Sequence, residues 1–160
     1  MMGQAGTVAI YRTRDIPVAL FAWTEQMQVG QGQPIRIGIA LENRSQKRLY
    51  LDIVKPYGLV AQTHMPFKIE VWRENQLLPY RGYIVKRPEL HDKDLTPVYP
   101  GFFAGLIFDL MDPAYGYQLS QGRYEVVLWY DSTSMRGTWI KAKRLWRGRT
   151  SKVRVPIEVI

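Results

Sequence analysis

Nearly the whole chain is written in short runs that alternate apolar and polar residues. Turn residues close each run about ten positions after the last, and no segment carries the period of an amphipathic helix. Ile35, Ile37, Ile39 and Leu41 share one face of a strand over Ile35–Leu41. Leu49, Leu51 and Ile53 are in phase in Leu49–Val54. Phe67–Arg73 sets Phe67, Ile69 and Val71 against Lys68, Glu70 and Trp72, and Val153, Val155, Ile157 and Val159 alternate through Lys152–Ile160. Val18–Trp23 is apolar on both faces, with Val18, Leu20 and Ala22 on one and Ala19, Phe21 and Trp23 on the other. Leu77–Tyr80, Phe102–Leu110 and Tyr124–Tyr130 complete the set. Turns are expected at 42–48, 74–76, Pro100-Gly101 and Gln121-Gly122, a loop at 55–66, mixed polar chain at 82–96, and a turn with one helical turn at 112–119. Pro156 assigns the last strand to an edge. About eight short strands without a helix predict an all-β, antiparallel sandwich.

With 160 residues and 46% hydrophobic content the chain suits one domain with a real core. Residues 1–30 read as an N-terminal extension carrying one strand, and 31–160 as the sandwich, with a basic hairpin at 131–150. The chain has no cysteine, which excludes disulfides and thiolate chemistry, and its two histidines make a structural zinc site unexpected. No window approaches the run of about twenty apolar residues that spans a membrane. Arg12, Arg14 and Asp15 interrupt any signal-like stretch, so the default expectation is a cytoplasmic protein, or an exported one if a signal was removed.

The formal charge of +8 is unevenly placed. Residues 131–154 hold Arg136, Lys141, Lys143, Arg144, Arg147, Arg149, Lys152 and Arg154 against Asp131 alone, eight cations to one acid. Within this stretch Trp139 and Trp146 interleave with Arg136, Lys141, Lys143, Arg144, Arg147 and Arg149. Tryptophan and arginine are the residues of interface hot spots, and the same mixture suits a phosphate-binding groove. A solvated loop with aromatic residues packed beneath it is the structural alternative. These eight residues are the candidate partner-binding set.

Other candidates have plain structural readings. His64, His91, Asp92 and Asp94 match no metal-ligand spacing and read as loop residues. Asp109 and Asp112 read as turn and cap residues. Asn43-Arg44-Ser45 matches a glycosylation sequon and reads as a turn. No serine and histidine stand in a triad context, so no enzyme is expected and no cofactor is implied. In Leu77–Arg87, Pro79 ends a strand and Gly82 permits a positive φ or a close backbone approach. Its tyrosines pack on the sandwich edge; Arg81, Lys86 and Arg87 are the contact-loop alternative.

A series of motifs carries a resemblance. Gly32-Gln33-Pro34 precedes a strand ending in Leu41-Glu42-Asn43, and Phe67-x-Ile69-x-Val71 follows. Then come Pro79-Tyr80-Arg81-Gly82-Tyr83-Ile84-Val85-Lys86-Arg87, Pro100-Gly101 before a strand ending in Asp109-Leu110, and Tyr117 to Val126. Residues 30–130 thereby resemble the immunoglobulin-like β-sandwich module found beside deuterolysin-like and peptidyl-Lys metallopeptidases and, more distantly, bacterial intracellular proteinase-inhibitor domains. The resemblance implies an immunoglobulin-like sandwich of about seven to nine strands with Greek-key connections. Tyr124, after Gly122, is then similar to a tyrosine corner. The peptidases' H-E-x-x-H motif is absent from the chain.

The expected function is non-catalytic protein contact, as a subunit of a larger assembly, with Val18–Trp23 pairing with a neighbour's edge. A proteinase inhibitor or protease-associated module is the alternative, and nucleic-acid binding through 136–154 the second. Partners are therefore protein or self, with nucleic acid behind them and no membrane span.

Overall fold

The computed structural model describes residues 8–57, 64–84 and 86–160, so part of the expected 55–66 loop and Val85 lie outside the described residues. The described strands are β1 (Ile10–Arg12), β2 (Val18–Thr24), β3 (Gln28–Val29), β4 (Arg36–Asn43), β5 (Leu49–Leu51), β6 (Phe67–Arg73), β7 (Gln76–Leu77), β8 (Thr96–Val98), β9 (Phe103–Asp109), β10 (Gly122–Tyr130) and β11 (Val153–Val159). They form one sheet in the order β1-β2-β4-β9, a second in the order β3-β11-β10-β6-β7, and a ribbon of β5 with β8. Neighbours are antiparallel except β3, which runs parallel to the last two residues of β11.

Period-two alternation decides which face is buried. Val18, Leu20 and Ala22 of β2 and Ile37, Ile39 and Leu41 of β4 face Phe67, Ile69 and Val71 of β6. Tyr124, Val126 and Leu128 of β10 and Val153, Val155 and Ile157 of β11 complete the main core. The expected all-β antiparallel sandwich is thus what the chain forms. Pro156 faces Glu125 of β10, while β3 pairs only with Glu158 and Val159. The missing N–H of Pro156 therefore falls where the outer side of β11 has no described strand partner.

Residue 30 is not a boundary. β2 pairs with β1 on one side and β4 on the other, and β3 joins the second sheet, so residues 10–29 contribute to both layers. The outward apolar set of β2 did not mark a free strand: both of its ladders are filled within the chain. The short strands β1, β3 and β8 were not anticipated, because two or three residues leave no period to read. β5 stops at Leu51, before the expected Val54, and the next residue, Asp52, is buried.

Turn chemistry follows the residues. Glu74 and Asn75 take φ of 49° and 62°, the left-handed pair that closes a tight hairpin between β6 and β7. Gly101 has φ of 78° at the third position of a turn closed by Phe102 N–H to Tyr99 C=O. Gly82 marks a close approach, since a Cβ there would lie 2.0 Å from the Ala114 carbonyl oxygen. Asp112 accepts from Ala114 N–H and caps the helical turn at Pro113–Tyr115. Asp109 takes the N–H groups of Ile35 and Met111. Asn43 is wholly buried, donates to the carbonyls of Lys47 and Val98, and accepts from Ser45. The sequon is therefore a turn with its amide enclosed.

The Tyr124 hydroxyl donates to the Ser120 carbonyl at 2.8 Å, and Arg73 stacks 5.3 Å from its ring. Tyr124→Phe is expected to cost about 1 kcal/mol in urea unfolding, with an unchanged fold. An unaltered midpoint would show that this bond does not hold the start of β10.

Candidate functional site

The β10–β11 connection begins and ends as a hairpin. Asp131 bridges Arg149, and Thr150 N–H meets the Tyr130 carbonyl. Between those ends the expected hairpin is an irregular loop folded over a small second core of Leu90, Leu95, Met135, Ala142 and Leu145. Three anchors fix its path. Leu90 exchanges backbone bonds with Trp139 and Lys141, Arg144 N–H reaches the Asp92 carboxylate at 2.8 Å, and Trp146 N–H reaches the Tyr50 carbonyl at 2.8 Å. Ser132 gathers the loop base, its hydroxyl 2.6 Å from the Trp146 carbonyl.

Both tryptophans point into the protein. Trp146 stacks on Tyr130 with ring centroids 6.0 Å apart and packs against the main core. Trp139 lies 5.1 Å from the His64 ring, with the Arg87 guanidinium 5.5 Å from its centroid and its Nε1 donating to the Arg136 carbonyl. Each is half-buried and serves as an anchor beneath the loop. Trp139 packs against the second core and Trp146 against the main one, so aromatic side chains lie beneath the loop while its cations are exposed.

Arg87 is held firmly in place. It makes a bidentate ion pair with Asp52 at 2.6 and 2.9 Å and donates to the His64 carbonyl at 2.9 Å. The Asp52 side chain is only 3% exposed, so the contact-loop alternative for Arg87 gives way to a structural one. His91 N–H meets the Asp94 carboxylate and Asp94 N–H meets the His91 carbonyl around the short helical turn 92–94.

Arg136, Lys141, Lys143, Arg144, Arg147 and Arg149 are all exposed. Arg144 and Arg147 join two residues from elsewhere in the chain. Lys47 and Arg48, from the turn between β4 and β5, line one groove with them, together with Pro17, Tyr50 and Trp146. Arg48 lies 5.0 Å from the Tyr50 ring and 5.6 Å from the Tyr99 ring, with Nη1 donating to the Tyr99 hydroxyl at 3.3 Å. Arg144 lies 5.4 Å from the same Tyr50 ring and donates to its hydroxyl at 3.2 Å. Arg147 donates to the Met135 carbonyl at 2.9 Å. Among the described residues none of these four cations forms an ion pair, whereas Lys152 meets Glu70 and Arg154 meets Glu125. The Tyr99 hydroxyl, followed by Tyr50, pushes the Arg48 pKa above its already high value. The loop arginines were legible as charge. Their partners Lys47 and Arg48 were read only as turn residues, although Arg44, Lys47 and Arg48 within five positions form a visible cluster.

Asp15, at the entry to β2, accepts from the backbone and hydroxyl of Ser151, both at 2.8 Å. Burial pushes its carboxyl up, but hydrogen bonds from Thr13 and Ser151 outweigh this and leave it below the ordinary value of 3.8.

No protein-family model matches this chain, and no curated protein matches it in sequence.

Two outcomes test this architecture. Arg87→Met leaves the Asp52 carboxylate buried without its partner, and is expected to lower unfolding stability by about 3–5 kcal/mol, measured in urea; a loss confined to a few tenths would remove the ion pair as the anchor. A depressed folded-state pKa at Asp15 stabilises the protein above the unfolded value and loses that contribution as pH falls through the folded value. Thermal melts of Asp15→Asn should therefore be less stable than wild type at neutral pH and converge with it in acid. A constant gap across that window would refute the linkage.

Proposed function

We propose that this protein is a non-catalytic interaction module and that its partner is a second copy of itself, joined edge to edge through β9. The observation that carries this is the undefended edge of the four-stranded sheet. β9 is seven residues long, pairs with β4 on one side, and has no described strand on the other. Every other described sheet edge is short: β1, β5 and β8 have three residues each, and β3 and β7 two each. From Phe103 to Phe108 β9 carries no proline and no charge, the usual guards of an exposed edge.

The geometry of β9 is self-complementary. Leu110 N–H bonds to the Ile35 carbonyl, and by antiparallel alternation Phe108, Leu106 and Ala104 also turn their backbone groups toward β4. Those of Ile107, Gly105 and Phe103 turn outward. Two copies related by a two-fold axis at Gly105 pair Phe103 with Ile107 of the second copy, and Ile107 with its Phe103. Each outward N–H and C=O then meets a partner. Phe103 is 55% and Ile107 54% exposed, so this pairing covers two of the largest exposed apolar side chains.

The outer face of the same sheet supports the reading. Its cross-strand rows run Ile10, Trp23, Gly38, Ile107 and Arg12, Phe21, Ala40, Gly105, with Phe21 edge-on to Phe103 at 5.0 Å. Arg12 at the β1 end apart, these rows form an apolar surface of the kind that marks association in water. The strand orders β2-β4-β9 and β11-β10-β6 also support the immunoglobulin-like resemblance, a class that commonly works by contact.

Light scattering of the untagged protein over a concentration series is expected to approach twice 18.6 kDa. Ile107→Lys should stay monomeric yet keep the wild-type circular-dichroism spectrum, because its side chain lies outside the core, while Ile84→Lys, at a position 85% exposed, should associate as wild type does. A mass of 18.6 kDa throughout, or an Ile107→Lys protein that still dimerises, would overturn the proposal.

A further inference from the structure

We propose that the groove lined by Lys47, Arg48, Arg144 and Arg147 is a second binding site, on the loops at one end of the sandwich, that takes an acidic polypeptide segment carrying apolar side chains. It does not depend on β9 pairing.

The cations are prepared for anions. All four line one groove with no acidic residue in its lining, and among the described residues none is ion-paired. Two guanidiniums are oriented by a tyrosine hydroxyl and one by a backbone carbonyl, each through Nη1. One side of each fork is engaged by the protein. The remaining N–H groups form the planar donor set that fits a carboxylate in bidentate fashion. The Tyr50 hydroxyl accepts from Arg144 and keeps its own proton to donate.

The groove also has an apolar component. Pro17 and the half-buried edge of Trp146 line it, and Ile16, next to Pro17, is 73% exposed. A segment made of acidic and apolar side chains satisfies both parts of such a surface. Nucleic acid fits less well, because single strands are bound by stacking bases on free aromatic faces. Here the Tyr50 ring is approached by two guanidiniums, and the Trp146 ring is stacked on Tyr130.

Fluorescence anisotropy tests this with three labelled probes: a peptide of glutamates interspersed with leucines, the same peptide with glutamine for glutamate, and an oligothymidine of equal net charge. The glutamate peptide should bind, and weaken as salt rises; the glutamine peptide should not bind, and the oligothymidine should bind less tightly. Lys47→Glu and Arg144→Glu should each weaken the peptide by about tenfold. The Lys47 side chain makes no described contact, so that variant reports binding even if Arg144→Glu fails to fold. Arg123→Glu, on the second sheet, should leave affinity unchanged. Measuring Ile107→Lys in parallel separates this site from the β9 contact, since that variant should bind the peptide normally. Failure of the glutamate peptide to bind, equal binding of the glutamine peptide, tighter binding of oligothymidine, or equal loss in Arg123→Glu would each overturn the proposal.

Discussion

A carboxylate as enclosed as that of Asp52 is costly to bury without a cation against it, and Arg87 supplies that cation through both terminal nitrogens of its guanidinium. Much of the irregular half of the molecule is organised around this pair. Arg87 brings the segment after β7 back across the end of the sandwich, and it holds the His64 carbonyl. It also lies over Trp139, which in turn closes the second core. The basic loop is therefore carried on an electrostatic contact and a small apolar cluster, while the sheets are carried by a continuous apolar interior.

Tyr130 joins the two. It ends β10 wholly buried, edge-on to Phe67 at 5.0 Å in the main core and stacked on Trp146 at the loop. Its hydroxyl accepts from Asp52 N–H at 3.2 Å, so the residue that bears the buried charge is tied to the last residue of the central strand. Burial pushes the phenol's pKa up and keeps it neutral. The loop cannot shift far without disturbing either the Trp146 stack or this bond.

The layered part of the fold was legible because each long strand has one buried face, and burial at period two is written in the residue types: Ile37, Ile39 and Leu41, or Val153, Val155 and Ile157. Hairpin and corner chemistry was legible at Glu74-Asn75, Pro100-Gly101 and Tyr124 for the same local reason. Pairing between distant segments was not. Asp52 reads as the outward member of an alternating strand and Arg87 as the end of a basic run, and nothing local couples positions that far apart. The same limit hid the groove. Arg144 and Arg147 stood out as charge, but Lys47 and Arg48 reach them only because Tyr50 bridges Leu145 in the folded chain. The tryptophans were visible as interface residues by type, yet a residue type carries no direction, and these two rings turned inward.

The stacking of Arg48 and Arg144 against Tyr50 has a consequence for kinetics. A long arginine side chain free in water surrenders roughly 2 kcal/mol of rotamer freedom when it is immobilised. Here much of that freedom is already restricted by tyrosine rings and hydroxyls before any anion arrives. A surface prepared in this way meets its ligand with less reordering in the encounter, so recognition there is closer to docking against a rigid template than to folding around a guest.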